Sequence, residues 1–435
     1  MVMLFFVALL IPTTLSVGPL ALSPIRALLL ISFLPLLFML LRGRAGPINI
    51  VDVLVAGSVA WAGLALVLTD PARTPERFGV FTLEMLGSYL FARLAVRSSA
   101  DFTRFAWISF VIVGVLAVFA AHESLTGQPL LRRLFPYSGG STTAGGPRLG
   151  LRRAQTVFDH PILYGCFVAG TLGICWYTLS PRAPFIYRCG IAFVIAVATF
   201  FSLSAGALIP YLLQSAMIAW DTVLRTIRDR WKVLLGGLVA LYVLFSLFAE
   251  SSLFNFVLMN VSFNKASAYN RVLIYEWGFV NLWNNPIFGL GFKHENWLRA
   301  DWMVSSMDAL FLVWVTQYGI PMILMYFGAV VILIRRVTRA PLVSVEDKAC
   351  RTGYLISLIG LILGGVTVHY WQTMLCFFMF LMGSGVWMIS GGADDDPAED
   401  APNQQRGFRT GSRRPGAAPL PEAGLANRSG TSPQS

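Results

Sequence analysis

Two stretches of this 435-residue chain gather the side chains that do chemistry. The first, RLGLRRAQTVFDHPILYG, places Arg148, Arg152 and Arg153 a few residues before Asp159 and His160. The second runs from NRVLIYEWGFVNLW through NPIFGLGFKHENWLRADWMVSSMDAL and carries Arg271, Lys293, His294, Glu295, Arg299, Asp301 and Asp308. A guanidinium fork matches the paired oxygens of a phosphate, so clustered arginines read as an anion site. The competing reading is a plain solvated loop surface. Common catalytic patterns are missing: HEN at 294–296 lacks the second histidine that a zinc-binding helix needs, and no phosphate loop, dinucleotide fingerprint or G-x-S-x-G elbow occurs.

These polar stretches sit in a very apolar chain. Hydrophobic residues make up 56%, charged residues only 13%, and mean hydropathy is +0.66, whereas a soluble domain is about 25% charged. The composition predicts an all-α, polytopic integral membrane protein. A bilayer core takes about 20 apolar residues per helix, and windows of that kind fall near 2–22, 24–41, 50–69, 78–96, 105–121, 162–180, 185–203, 204–220, 233–250, 309–334, 353–370 and 371–390, about twelve spans. Residues 190–220 hold no charge, yet SLSAGALIP puts Ser202, Ser204, Gly206 and Pro210 in the middle, which predicts a tight reversal there.

Basic residues set the expected orientation. With the N-terminus cytoplasmic, the short inner loops hold Arg42, Arg44, Arg93, Arg97, Arg104, Arg182, Arg188, Arg225, Arg228, Arg230, Lys232, Arg335, Arg336, Arg339, Lys348 and Arg351. The short outer loops hold only Arg26, Arg73 and Arg77, a ratio of sixteen to three. Both termini then lie inside, and the two long loops, about 122–161 and 251–308, lie outside. MVMLFFVALLIPTTL lacks a basic leader and a small-residue cleavage site, which predicts a retained helix. From residue 391 the chain turns rich in Gly, Pro, Ala and charge, a disordered cytoplasmic tail (391–435) after a membrane domain of 1–390.

The net charge of +11 follows from topology and from attraction to anionic lipid headgroups, about 1 kcal/mol per residue, and makes nucleic acid a poor partner. The five cysteines all avoid the long outer loops, so no disulfide framework is implied. Of Glu84 and Arg93 in the fourth span, Arg93 can snorkel inward, whereas Glu84 near mid-span should make a contact in the bundle interior.

The second stretch, with Arg-x-x-x-x-x-Trp at 271–277, NPIFGLG, a polar loop, and then a polar residue opening LFLVWVTQYGIP, resembles the signature region of the O-antigen ligase and polymerase superfamily. RLGLRRAQTVFDHPILYG is similar to an R-A-x-x-x-F-x-H-P element of its exopolysaccharide polymerase branch. So is SSMDALFLVWVTQYGIP, where Asp308 stands in the place of the ligases' His. The resemblance covers most of residues 140–330 and the twelve-span layout.

It implies an inverting, metal-independent glycosyltransferase of the bacterial inner membrane, working at the periplasmic face without a cofactor. Its donor would be an oligosaccharide on undecaprenyl pyrophosphate, and its partners membrane lipid and other polysaccharide assembly or export proteins. Asp308 would then be the base, Arg271 the pyrophosphate ligand, and Arg148, Arg152, Arg153, His160 and Lys293 further substrate contacts. Ligases of the family carry Ser-Arg-Gly at the turn where this chain has Ser204, Ala205 and Gly206, so that arginine's role would pass to Arg148, Arg152 or Arg153. The helix dipole at Asp308 would weaken it as a base. The rival readings are an O-antigen ligase, a flippase or exporter of lipid-linked sugars, and a structural scaffold for export.

Overall fold

Apolar windows in a membrane must satisfy every backbone N–H and C=O internally, and the helix does this within one segment. The computed structural model describes residues 1–17, 20–69, 71–135, 146–248, 252–253, 255–256, 259, 265–291, 293 and 297–390. The expected tail and the pair His294 and Glu295 lie outside the described residues.

The elements in order are α1 (Val2–Leu10), β1 (Leu15–Val17), β2 (Leu20–Leu22), α2 (Pro24–Leu41), α3 (Ile50–Thr69), α4 (Thr74–Thr82), a π-helical turn (Leu83–Gly87), α5 (Ser88–Ala95) and α6 (Ser99–Thr126). There follow α7 (Leu130–Leu134), α8 (Pro161–Gly170), α9 (Leu172–Thr178), α10 (Phe185–Phe200), α11 (Ala205–Val223) and α12 (Arg230–Phe248). The last are α13 (Lys265–Asn284), α14 (Leu310–Tyr318), α15 (Ile320–Arg339), α16 (Val345–Gly365), α17 (Thr373–Gly383) and α18 (Trp387–Ser390).

Seven of these segments are long and apolar enough to cross a membrane: 24–41, 50–69, 74–95, 99–126, 161–178, 230–247 and 320–339. Helices 185–200 and 373–389 are apolar but shorter. Two expected spans take a different form. The window 2–22 is a nine-residue helix followed by an antiparallel pair in which Leu15 faces Leu22. The window 309–334 is broken at Gly319 into α14 and α15.

Helices that are apolar on every side must be buried on every side. The bundle accordingly centres on α8, α9 and α17, whose residues are buried apart from Ile162 and Thr373 near their N-terminal ends. Phenylalanines fill the space between them and their neighbours: Phe5 meets Phe380 with ring centroids 4.3 Å apart, and Phe167 meets Phe377 at 4.6 Å.

Glycines let backbones approach where α9 crosses α16. A Cβ on Gly173 would lie 2.8 Å from the carbonyl oxygen of Gly353, the small-residue contact typical of membrane helices. The break between α8 and α9 frees backbone groups, and buried Gln214 satisfies them. Its side-chain carbonyl accepts from Gly173 N at 3.0 Å and from Ser357 Oγ at 3.2 Å, and its amide donates to Ala169 O at 2.8 Å.

Two buried ion pairs answer the charges seen in the sequence. Glu84, in the π-helical turn, meets Arg26 at 2.7 Å, and Arg93 lies 3.6 Å from Asp52. The reversal expected near 202–210 is present: α10 ends at Phe200, and α11 starts at Ala205.

Candidate functional site

The C-terminal ends of α6, α10 and α16 and the N-terminal ends of α8, α11, α14 and α17 meet at one end of the bundle. Segment 148–160 is laid across that end by a clamp. The Glu123 carboxylate, in the last turn of α6, accepts from Gln155 N at 3.2 Å and Thr156 N at 2.9 Å. Arg132 of α7 donates to the carbonyls of Thr156, at 3.3 Å, and Phe158. Arg152 N bonds Ser124 O at 3.0 Å, and Ala154 N bonds Phe201 O at 2.9 Å. Thr156 is held at φ +52, a left-handed conformation that costs a β-branched residue about 1–3 kcal/mol.

Extended backbone alternates its side chains, and the clamp thereby separates two neighbouring arginines. Arg153 turns inward, its Nε donating to Ser202 O at 3.4 Å, with its second terminal nitrogen buried and without an acceptor. Arg152 is exposed and lies against Gly127. Arg148 joins the inward group by donating to Leu203 O at 2.9 Å. The expected grouping of all three arginines therefore holds for two.

The third inward guanidinium comes from α13. Arg271 is 9% exposed, and a Cβ on Gly206 would lie 3.6 Å from one of its terminal nitrogens and 2.8 Å from the Val368 side chain. A side chain there would crowd Val368 and only touch the guanidinium. Among the described residues the Arg271 guanidinium forms no hydrogen bond or ion pair. Burial holds it below its ordinary value; the Asp308 carboxylate opposes that shift, and Arg148 adds to it. Burial and then Arg148 likewise hold Arg153 down to about 10. Arg153 therefore remains a cation at neutral pH.

Asp308 reaches this group on a loop pinned to α13. Asn281 accepts from Leu298 N at 2.8 Å and donates to Leu298 O at 2.8 Å, while buried Trp297 donates to Ser305 O at 2.8 Å. Gly278 of α13 packs on Leu312 of α14, where a Cβ would meet the leucine at 2.7 Å. Leu310 N bonds Val368 O at 3.3 Å. Asp308 does not open the helix as expected. The N-cap is Ala309, with no side-chain cap bond, and Asp308 precedes it.

His160 is the N-cap of α8, its Nδ1 accepting from Ile162 N at 3.2 Å. Burial first, then Arg153 and Arg148, hold the imidazole down to about 4, so it is neutral at pH 7. With Nδ1 accepting, the ring proton is assigned to Nε2, which leaves a donor beside the arginines. Its ring lies 6.2 Å from that of Trp371, which in turn lies 5.6 Å from that of His369.

Lys293 is exposed, and no described interaction ties it to the group. Arg299 lies over Trp297, and Asp301 is exposed. Sequence reasoning missed Glu123, Arg132 and Trp371. The first two act only through backbone on a distant segment, a contact with no periodicity to reveal it.

The four non-glycine residues with positive φ among those described, Leu149, Thr156, Leu203 and Gln372, all lie in segments that build this end of the bundle. Strain of that kind clusters at functional sites. No protein-family model matches the chain, and no curated protein matches it. Among the described residues no three His, Cys, Asp or Glu side chains gather as metal ligands would. The arrangement is three guanidiniums, one carboxylate and one neutral imidazole around the start of α11, chemistry suited to a polyanion beside a group that must lose a proton.

Proposed function

We propose that the protein is a membrane glycosyltransferase that polymerises oligosaccharide repeat units carried on undecaprenyl pyrophosphate, a member of the O-antigen ligase and polymerase superfamily in its exopolysaccharide branch. The observation that carries this reading is the convergence of Arg148, Arg153 and Arg271 with Asp308 at one end of an apolar helical bundle. A buried guanidinium nitrogen without an acceptor costs about 1–3 kcal/mol or more, a cost that a pyrophosphate oxygen removes.

In this reading the acceptor hydroxyl attacks the anomeric carbon from the face opposite the leaving group. Asp308 takes the hydroxyl proton as the new C–O bond forms. The anomeric C–O bond to pyrophosphate breaks, the lipid pyrophosphate departs with its electron pair, and the three arginines neutralise the charge that develops on it. The anomeric configuration inverts. Arg152 and Lys293 are left outside the reacting group.

The same reading places the chain in a bacterial inner membrane with about twelve crossings, both termini cytoplasmic and the site at the periplasmic face, as the sixteen-to-three distribution of basic residues favours. A transporter would place charges inside the helical core, where Glu84 lies. Its 2.7 Å pair with Arg26 gives that charge a structural partner, which supports the enzyme reading over transport.

The test is transfer by purified protein in vesicles loaded with undecaprenyl-pyrophosphate-linked oligosaccharide, in the presence of a metal chelator. The expected result is longer glycans with inverted linkages and release of undecaprenyl pyrophosphate. Movement of intact lipid-linked units across the bilayer without lengthening would assign transport instead.

A further inference from the structure

The end of the bundle opposite the arginine cluster holds a basic cavity. It opens between the start of α6, the connection from α15 to α16, and α18, with a volume of about 720 Å³. Helix α16 joins the two ends. Asp347 in its first turn borders this cavity, and its last turn borders the cluster; its 21 residues at about 1.5 Å each span about 30 Å. That is the thickness of a bilayer's hydrocarbon core, so the cavity falls at the headgroup level of the other leaflet whichever way the protein is inserted.

Arg335, Arg336 and Arg339 line it. None of the three side chains forms a hydrogen bond or ion pair with another described residue. Nearby basic residues do have partners: Arg351 donates to Ala340 O at 3.3 Å, and Arg182 meets Glu346 at 2.8 Å. Among the described residues Asp347 is the single carboxylate in the wall, which leaves those residues a net charge of two. Ser98 and Ser99 add hydroxyls, and Leu342 and Met388 add apolar surface. Trp387 also lines the cavity; it is 5% exposed, and its indole N–H finds no acceptor among the described residues.

The positive-inside bias explains basic residues near a membrane face, but it requires no walled cavity around them. We propose that this cavity binds the phosphate headgroup of an anionic phospholipid, with the arginines on the phosphate and the apolar wall against the glycerol and first methylenes. Basic pockets between membrane helices recognise headgroups in this way. The proposal is independent of the reading of the other end of the bundle.

The test is native mass spectrometry of the purified full chain in mixed micelles containing phosphatidylglycerol or phosphatidylcholine. Wild type is expected to retain phosphatidylglycerol over phosphatidylcholine. The Arg335→Gln/Arg336→Gln/Arg339→Gln variant should lose about 100-fold in affinity for phosphatidylglycerol. The Arg42→Gln/Arg225→Gln/Arg228→Gln variant, with the same loss of charge elsewhere, should keep wild-type retention. Ser99→Trp, which fills the cavity and leaves every arginine, should lower retention and covers the case in which the first triple variant fails to fold. Equal losses in the two triple variants, or unchanged retention in Ser99→Trp, would overturn the proposal. Complete displacement of the lipid by inorganic phosphate would overturn it too, by assigning a free-anion site.

Discussion

At the scale of single residues, the site works by leaving cations unsatisfied. Among the described residues Arg271 is buried with no hydrogen bond or ion pair, and Arg153 keeps a buried N–H without an acceptor. His160 carries the clearest pH signature. Its ordinary value is 6.5, and its folded value is about 4, so folding favours the neutral ring. The associated stability is fully present above pH 6.5 and is lost as pH falls toward 4, at most about 3 kcal/mol. The expectation is that the melting temperature of wild type in detergent declines over that window. His160→Asn retains an N-cap acceptor and should show a shallower decline; parallel curves would contradict the assignment. The sequence made the arginines legible because guanidiniums stand out on loops outside the spans. It left Arg152 and Arg153 equivalent, because which one faces inward depends on Glu123 and Arg132 gripping the segment between them and His160.

At the scale of elements, a pair of turns explains why NPIFGLG and TQYGIP occur together. Helix α14 folds back along α15, with Phe311 4.8 Å from Phe327 and Trp314 5.0 Å from Tyr326. Gly319 makes the reversal at φ +86, and a Cβ there would collide with the carbonyl of Ile287. The NPIFGLG turn seats on it: Ile320 N bonds Pro286 O at 2.8 Å, and Leu290 N bonds Thr316 O at 2.8 Å. Trp61 of α3 donates to both Ile287 O and Tyr318 O at 3.2 Å. Gly319→Ala should therefore lose more than about 2 kcal/mol, read as a large drop in melting temperature and folded yield. Trp61→Phe keeps the stack on Phe288 and should cost only about 1 kcal/mol; equal losses in the two variants would undo this account. The reversal at 201–204 was legible from Ser202 and Ser204, while Gly206 and Pro210 fall inside α11; the break at Gly319 was hidden in a continuous apolar run.

At the scale of the whole molecule, composition sufficed for the helical membrane class, since 56% hydrophobic residues admit little else. Pairing within the bundle was not legible, because Arg26 and Glu84 lie 58 residues apart. Glu84→Gln alone takes the carboxylate away from the part-buried Arg26 and should cost about 3–5 kcal/mol, while Glu84→Gln with Arg26→Met should recover most of it. A thermal-stability cycle checks this, and additive losses would show that the pair carries no coupling. The proposed orientation predicts that a cysteine at exposed Lys293 reacts with a membrane-impermeant maleimide on intact cells, and that one at Arg228 reacts only after permeabilisation.

The central claim is that Arg271 and Asp308 perform glycan transfer. It is tested most directly by polysaccharide output in a deletion strain complemented with wild type, Arg271→Ala or Asp308→Asn at matched membrane abundance. The account predicts that both variants abolish long polymer and accumulate lipid-linked single repeat units. Polymer of unchanged amount and length would contradict it.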